Sequence, residues 1–69
     1  MRLSARNKLN GTVASVDVGA VMTIVKVDIG GGQQITSSIT KDAAEDLGLT
    51  VGAPVTVVIK STEVMLATE

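Results

Sequence analysis

Cysteine, histidine, phenylalanine, tyrosine and tryptophan are all missing from these 69 residues, and proline occurs once. Each absence removes a class of function. Without cysteine there is no disulfide and no thiolate metal site, and the redox compartment is not readable. Without His, Cys or Tyr, a general base or an activated nucleophile is hard to assemble. The seven acidic residues fall in a presumed helix, in turns or near strand ends, with no pair at an acid–base spacing. The chain is therefore not expected to be an enzyme. Without aromatics there is no platform on which bases could stack. Six basic residues against seven acidic ones, a net charge of −1, leave no basic face for nucleic acid. No apolar run approaches the roughly 20 residues of a membrane span, and no charged leader precedes a continuous apolar region. The expectation is a protein without nucleic-acid or membrane partners, in the cytoplasm.

What remains is a single short domain, residues 1–69, in which 45% of side chains are hydrophobic. A chain this small buries only a small core. Small scaffolds without disulfides commonly gain stability by oligomerising. The excess of apolar side chains thus predicts a homo-oligomer.

The pattern is mostly strand. Residues 12–18, TVASVDV, are rich in β-branched side chains, and their alternation slips between Val13 and Val16, which suggests a bulge. Gly19 and Ala20 form a turn. Residues 21–29 put Val21, Thr23, Val25, Val27 and Ile29 on one face. On the other face Met22 and Ile24 are apolar whereas Lys26 and Asp28 are polar. Gly30–Gly32 lead into a third strand, 33–40, with Ile35 and Ile39 inward. The period then changes. Thr40 is placed to cap a helix over 40–49, Asp42 sits in its first turn, and Gly48 and Leu49 suit its C-terminal end. Pro54 opens a fourth strand over 55–60, and a short fifth is expected at 63–67. This order predicts an all-β fold, a five-stranded OB-type barrel with one short helix between strands 3 and 4. A small open sheet with one covering helix is the alternative. Met22, Ile24, Val58 and Met65 on the second face suit either a neighbouring subunit or a two-sided core.

The triple glycine lacks the lysine and Ser/Thr of a phosphate loop and precedes a strand, so it reads as a turn. Three donor-rich places remain. They are Ser4-Ala5-Arg6-Asn7 before the first strand, Thr40-Lys41 at the helix start, and Lys60-Ser61-Thr62 after the fourth strand. Arg offers a planar fork of donors and Lys a point charge. Hydroxyls and helix-start amides add neutral donors. Together they would suit a small tetrahedral dianion. Taken alone, the residues leave open whether Arg6 and Lys60 are merely solvated charges and Thr40 merely a cap.

Three segments, SARNKLNGTV (4–13), ITSSITKDAAEDLGLTVG (35–52) and VTVVIKSTEVMLA (55–67), resemble the molbindin family, the molybdate-binding Mop domain. The resemblance spans essentially the whole chain. It implies an OB-type fold and a hexamer, a trimer of dimers, that binds molybdate or tungstate at subunit interfaces. It implies no organic cofactor. The DNA-binding or ATPase domains fused to this module in regulators and importers are not seen here, so the resemblance is to the free-standing form thought to store or buffer molybdate. Carried over by position, the implied ligands are Ser4, Ala5 through its backbone N–H, Arg6, Lys60 and Ser61. Thr40 joins them from a neighbouring subunit, with backbone donors near Lys41 to Ala43. Ala43 stands where some relatives have serine, so only its N–H is available. A second type of site near a three-fold axis implicates Gly19, Ala20 and Val21. The rival reading is a structural or interaction OB module without a physiological anion.

Overall fold

Apolar side chains alternate with polar ones along four stretches, and each stretch finds a neighbour that covers its inner row. The computed structural model describes residues 2–69. It consists of β1 (Asn7–Val18), β2 (Met22–Gly30), β3 (Gln33–Thr40), the helix α1 (Lys41–Asp46) and β4 (Pro54–Ile59), followed by a 3₁₀ turn, Ser61–Glu63. The strands form one antiparallel sheet in the order β3-β2-β1-β4. Inner-row residues Val13, Val25 and Val27 make the buried core, and Val16, Ile29, Ile39, Leu49, Val55 and Val57 pack around them.

β1 starts five residues earlier than its β-branched run, because Asn7 to Thr12 pair with β4. Its second half pairs with β2. The expected slip is real: the register shifts between Val13 and Ser15, leaving Ala14 as the extra residue. At the same point Val13 exchanges backbone hydrogen bonds with the loop before β4, donating to Ala53 O (2.9 Å) and accepting from Gly52 N (2.8 Å). The strand bends where it changes partner.

The β2–β3 connection uses three consecutive residues with positive φ, Gly30, Gly31 and Gly32, a run that only glycine adopts without strain. The helix ends as its sequence predicts. Gly48 sits at φ 64°, its N–H donates to Glu45 O (3.0 Å), and Leu49 N–H donates to Ala44 O (3.2 Å), the paired bonds of a Schellman motif.

Two expectations are corrected. Val21 is not on the inner row of β2. It lies in the hairpin turn and is 71% exposed, because the β1–β2 register begins at Val18↔Thr23. The fifth strand at 63–67 does not form, and the five-stranded barrel is not closed. The chain leaves β4 through the 3₁₀ turn and reaches no sheet edge, so Val64, Met65 (92%) and Leu66 (93%) are exposed. A single chain therefore shows the open sheet with one helix.

Thr23 is fully buried between Val18 and Ile39, and its hydroxyl has no hydrogen-bond partner among the described residues. An orphaned buried hydroxyl costs about 1–3 kcal/mol. Thr23→Val is expected to raise the unfolding free energy by about 1 kcal/mol in a urea titration. Gly11→Ala is expected to lower it by about 1–3 kcal/mol, since its Cβ would lie 2.6 Å from both Asp28 O and Val27 Cγ1.

Candidate functional site

The β1–β4 ladder decides which donors meet. Its last rung is Asn7↔Ile59, so Arg6 and Lys60 are the residues that follow directly from the ends of two paired strands. Such strands lie about 4.8 Å apart. Ser4 and Ala5 precede this point, and Ser61 follows it as the first residue of the 3₁₀ turn. The register thus sets Arg6 and Lys60 beside the same rung, with Ser4, Ala5 and Ser61 in the segments that continue from them. Ser4, Arg6, Lys60 and Ser61 are exposed and Ala5 is half-buried. Among the described residues, the side-chain hydrogen bonds use Asn7, Asn10, Asp28, Thr40 and Thr56, leaving these donors uncommitted.

A second cluster forms at the other end of β1. Thr40 pairs with Met22 at the start of β2, next to the rung Val18↔Thr23. Lys41 N–H donates to Val21 O (2.7 Å), tying the helix start to the hairpin turn, and Gly19 N–H closes that turn onto Met22 O (2.8 Å). Thr40, Lys41 and Ala43 therefore share a neighbourhood with Gly19, Ala20 and Val21. Thr40 is the N-cap, at φ −66° and ψ 150°, and its Oγ1 accepts from Ala43 N–H (3.1 Å). Within one chain, the amides of Lys41 and Ala43 are thus already engaged. The Thr40 hydroxyl proton is free to donate.

The two clusters are not brought together. They sit at opposite ends of a 12-residue strand, in a molecule whose longest extent is 36 Å. Ligands of one oxyanion must lie within about 3 Å of its oxygens. No single ion can touch Arg6 and Thr40 of the same chain.

The sequence reading missed two features. Asn7 reads in the sequence as one more donor beside Arg6, whereas its Nδ2 donates across the sheet to Ile59 O (3.3 Å). The signal was a polar residue on the row that continues as Leu9, Gly11 and Val13. The second is a cavity of about 160 Å³ between the hairpin and α1, lined by Val16, Val18, Thr23, Ala44 and Leu49, with Lys41 and Glu45 also in its wall. Its apolar lining and the Glu45 carboxylate make it a poor cradle for an anion.

The molecule is a small open antiparallel sheet with one capped helix and exposed hydrogen-bond donors at both ends of β1. The TOBE domain model matches residues 3–66. The chain is 48% identical over 66 residues to molybdenum-pterin-binding protein 3 of Clostridium pasteurianum, covering 96% of this chain and 97% of that one. It is 44% identical over 69 residues to a probable molybdenum-pterin-binding protein of Haemophilus influenzae, covering all of both. MopII from Clostridium pasteurianum superposes with a TM-score of 0.91 at 45% identity, over 97% of this chain and 100% of that one. A molybdate-binding protein from Sporomusa ovata does so with a TM-score of 0.91 at 37% identity, over 99% and 100%. The chain belongs to the TOBE-domain family, in its molbindin-type (Mop) form.

Removing the cap separates its structural part from any other. Thr40→Ala is expected to lower stability by about 1 kcal/mol through loss of the bond to Ala43 N–H. Thermal unfolding without added oxyanion checks this.

Proposed function

We propose that this chain is a molybdate- or tungstate-binding protein of the cytoplasm that stores or buffers the oxyanion at interfaces between subunits of a homo-oligomer. The observation that carries the reading is the separation of the two donor clusters along β1. Arg6 and Lys60 supply positive charge at one end, with Ser4, Ser61 and the Ala5 amide beside them. Thr40 supplies a hydroxyl at the other. A complete cage is made when the first cluster of one subunit meets the second cluster of another. Gly19, Ala20 and Val21, beside Thr40, are then placed for a further site where hairpin turns from several subunits converge.

Exposed apolar side chains support the oligomer. They include Val64, Met65 and Leu66 near the C-terminus, Val18, Val21 and Met22 around the hairpin, Leu47 and Val51 after the helix, and Leu3 and Val58. A trimer of dimers needs two kinds of interface. The outer edges of β3 and β4 are unpaired. A 63–67 segment supplied between them by another copy would add the missing fifth strand and close an OB-type barrel. Burying a Met or Leu side chain contributes about 1.5–3 kcal/mol.

Binding is reversible and no covalent bond changes, so this is not an enzyme. The oxyanion exchanges part of its hydration for charge-assisted hydrogen bonds from Arg6 and Lys60, each worth about 1.5–3 kcal/mol, and for neutral donors worth about 0.5–1.5 kcal/mol. Relatives are named for molybdenum-pterin, but this chain has no aromatic side chain on which a pterin could stack. The donors fit the inorganic anion without an organic cofactor. Because ligands come from two subunits, binding stabilises the assembly by mass action.

Native mass spectrometry with and without molybdate, with sulfate as control, tests the reading. A hexamer that gains several molybdates and ignores sulfate is expected. A monomer, or an oligomer that takes up neither anion, would leave an interaction module only. By calorimetry, Arg6→Ala is expected to weaken molybdate binding by about 10- to 100-fold and Ser61→Ala by less than about tenfold. Equal losses would refute the assignment of Arg6.

A further inference from the structure

We infer that Asn7 is a positioning residue of the oxyanion site, whose carboxamide locks the last β1–β4 rung and so holds Arg6 beside Lys60. The inference rests on the oxyanion reading given above. Burial alternates along the start of β1, placing Asn7 on the same row as Leu9, Gly11 and the core residue Val13. A polar amide is a poor choice there. Asn is depleted in strands, and a half-buried carboxamide loses hydration that a valine would not miss. The side chain spends its donor on one contact, Nδ2 to Ile59 O at 3.3 Å, between residues 52 positions apart.

That contact is made where the sheet gives out. Asn7↔Ile59 is the terminal rung, and residues 2–6 are outside any strand. Beyond Ile59, Lys60 leads into the 3₁₀ turn. The backbone bonds of this turn, Glu63 N to Lys60 O and Val64 N to Ser61 O, are internal to it. They do nothing to keep Lys60 near β1. Two cations thus continue from neighbouring strand ends beyond the last rung, and like charges on neighbouring strands repel. With the anion absent, this repulsion favours splaying of the two strand ends. Asn7 opposes it from the neighbouring rung, on the row that faces away from the exposed Arg6 and Lys60. Its effect is to preorganise the donors, so that the anion does not have to gather them.

The test is Asn7→Val, measured for thermal stability without ligand and for molybdate affinity by calorimetry. Valine suits an inner strand position, so the unfolding midpoint is expected to be unchanged or higher. Affinity is nonetheless expected to fall about tenfold, the usual scale for losing a residue that orients a ligand-binding group. A merely structural role would move both quantities in the same direction. Asn7→Ser, too short to reach Ile59, is expected to lose affinity similarly and guards against misfolding of the valine variant. Because Asn7 acts through Lys60, adding Asn7→Val to Lys60→Ala is expected to cost little more than Lys60→Ala alone. Wild-type affinity in both Asn7 variants, or full additivity with Lys60→Ala, overturns the inference while leaving the oxyanion reading intact. Failure of the unmodified protein to bind molybdate overturns both.

Discussion

Twelve consecutive residues of β1 serve two partners in succession. From Asn7 to Thr12 they pair with β4, and from Thr12 to Val18 with β2. The exchange happens at the bulge, where Val13 is also bonded to the loop before β4 and is buried at the centre of the core. β3 is hydrogen-bonded to this sheet through β2, and α1 is held by the end of β3, by the bond from Lys41 to Val21 and by packing of the buried Ala44 beside β2. Anything that loosened Val13 would therefore loosen both ladders. The close approach of β1 to β2 at Gly11, where a methyl group has no room, is part of the same constraint.

That strand also sets the distances that matter for binding. It is a ruler with donors at each end. The end near Asn7 carries charge and long side chains, and its proposed ligands lie in segments outside the regular sheet. The end near Val18 is more rigid, since the hairpin turn and the helix cap are held by Gly19, Lys41 and Ala43 amides. One half of the proposed cage is thus dominated by Arg6 and Lys60 and adjustable, the other built around the Thr40 hydroxyl and held in place by backbone bonds. Such a division suits recognition in which charge attracts and geometry discriminates.

Local chemistry made some of this readable in the sequence. Thr40 and Gly48 bracket the helix because capping is decided within a few residues, and both were placed correctly. The bulge near Val13 showed itself as a slip in alternation. The start of β1 was not readable, because Lys8, Asn10 and Gly11 carry no strand pattern and become strand only by pairing with residues some 45 to 50 positions away. The residues at 63–67 form a short apolar run after Glu63, but no sheet edge described in the same chain receives them. Val21 was misplaced because turn length, not periodicity, determines where β2 begins. The donors of the site were visible one by one. That Arg6 joins Lys60, and that Thr40 does not, follows from long-range register, which family resemblance suggests and composition cannot.

Placing half of a cage at each end of a strand makes capture depend on how many copies are present. A lone chain offers the anion one charged rim and, far off, one hydroxyl. In the proposed assembly, complete cages appear only when copies associate, and association itself is favoured by the ion they enclose. On the proposed reading, dilution weakens holding and accumulation strengthens it, with no change in any residue. The amount of protein a cell makes would then tune how firmly it retains the ion, and a falling protein level would release its cargo without a dedicated release step.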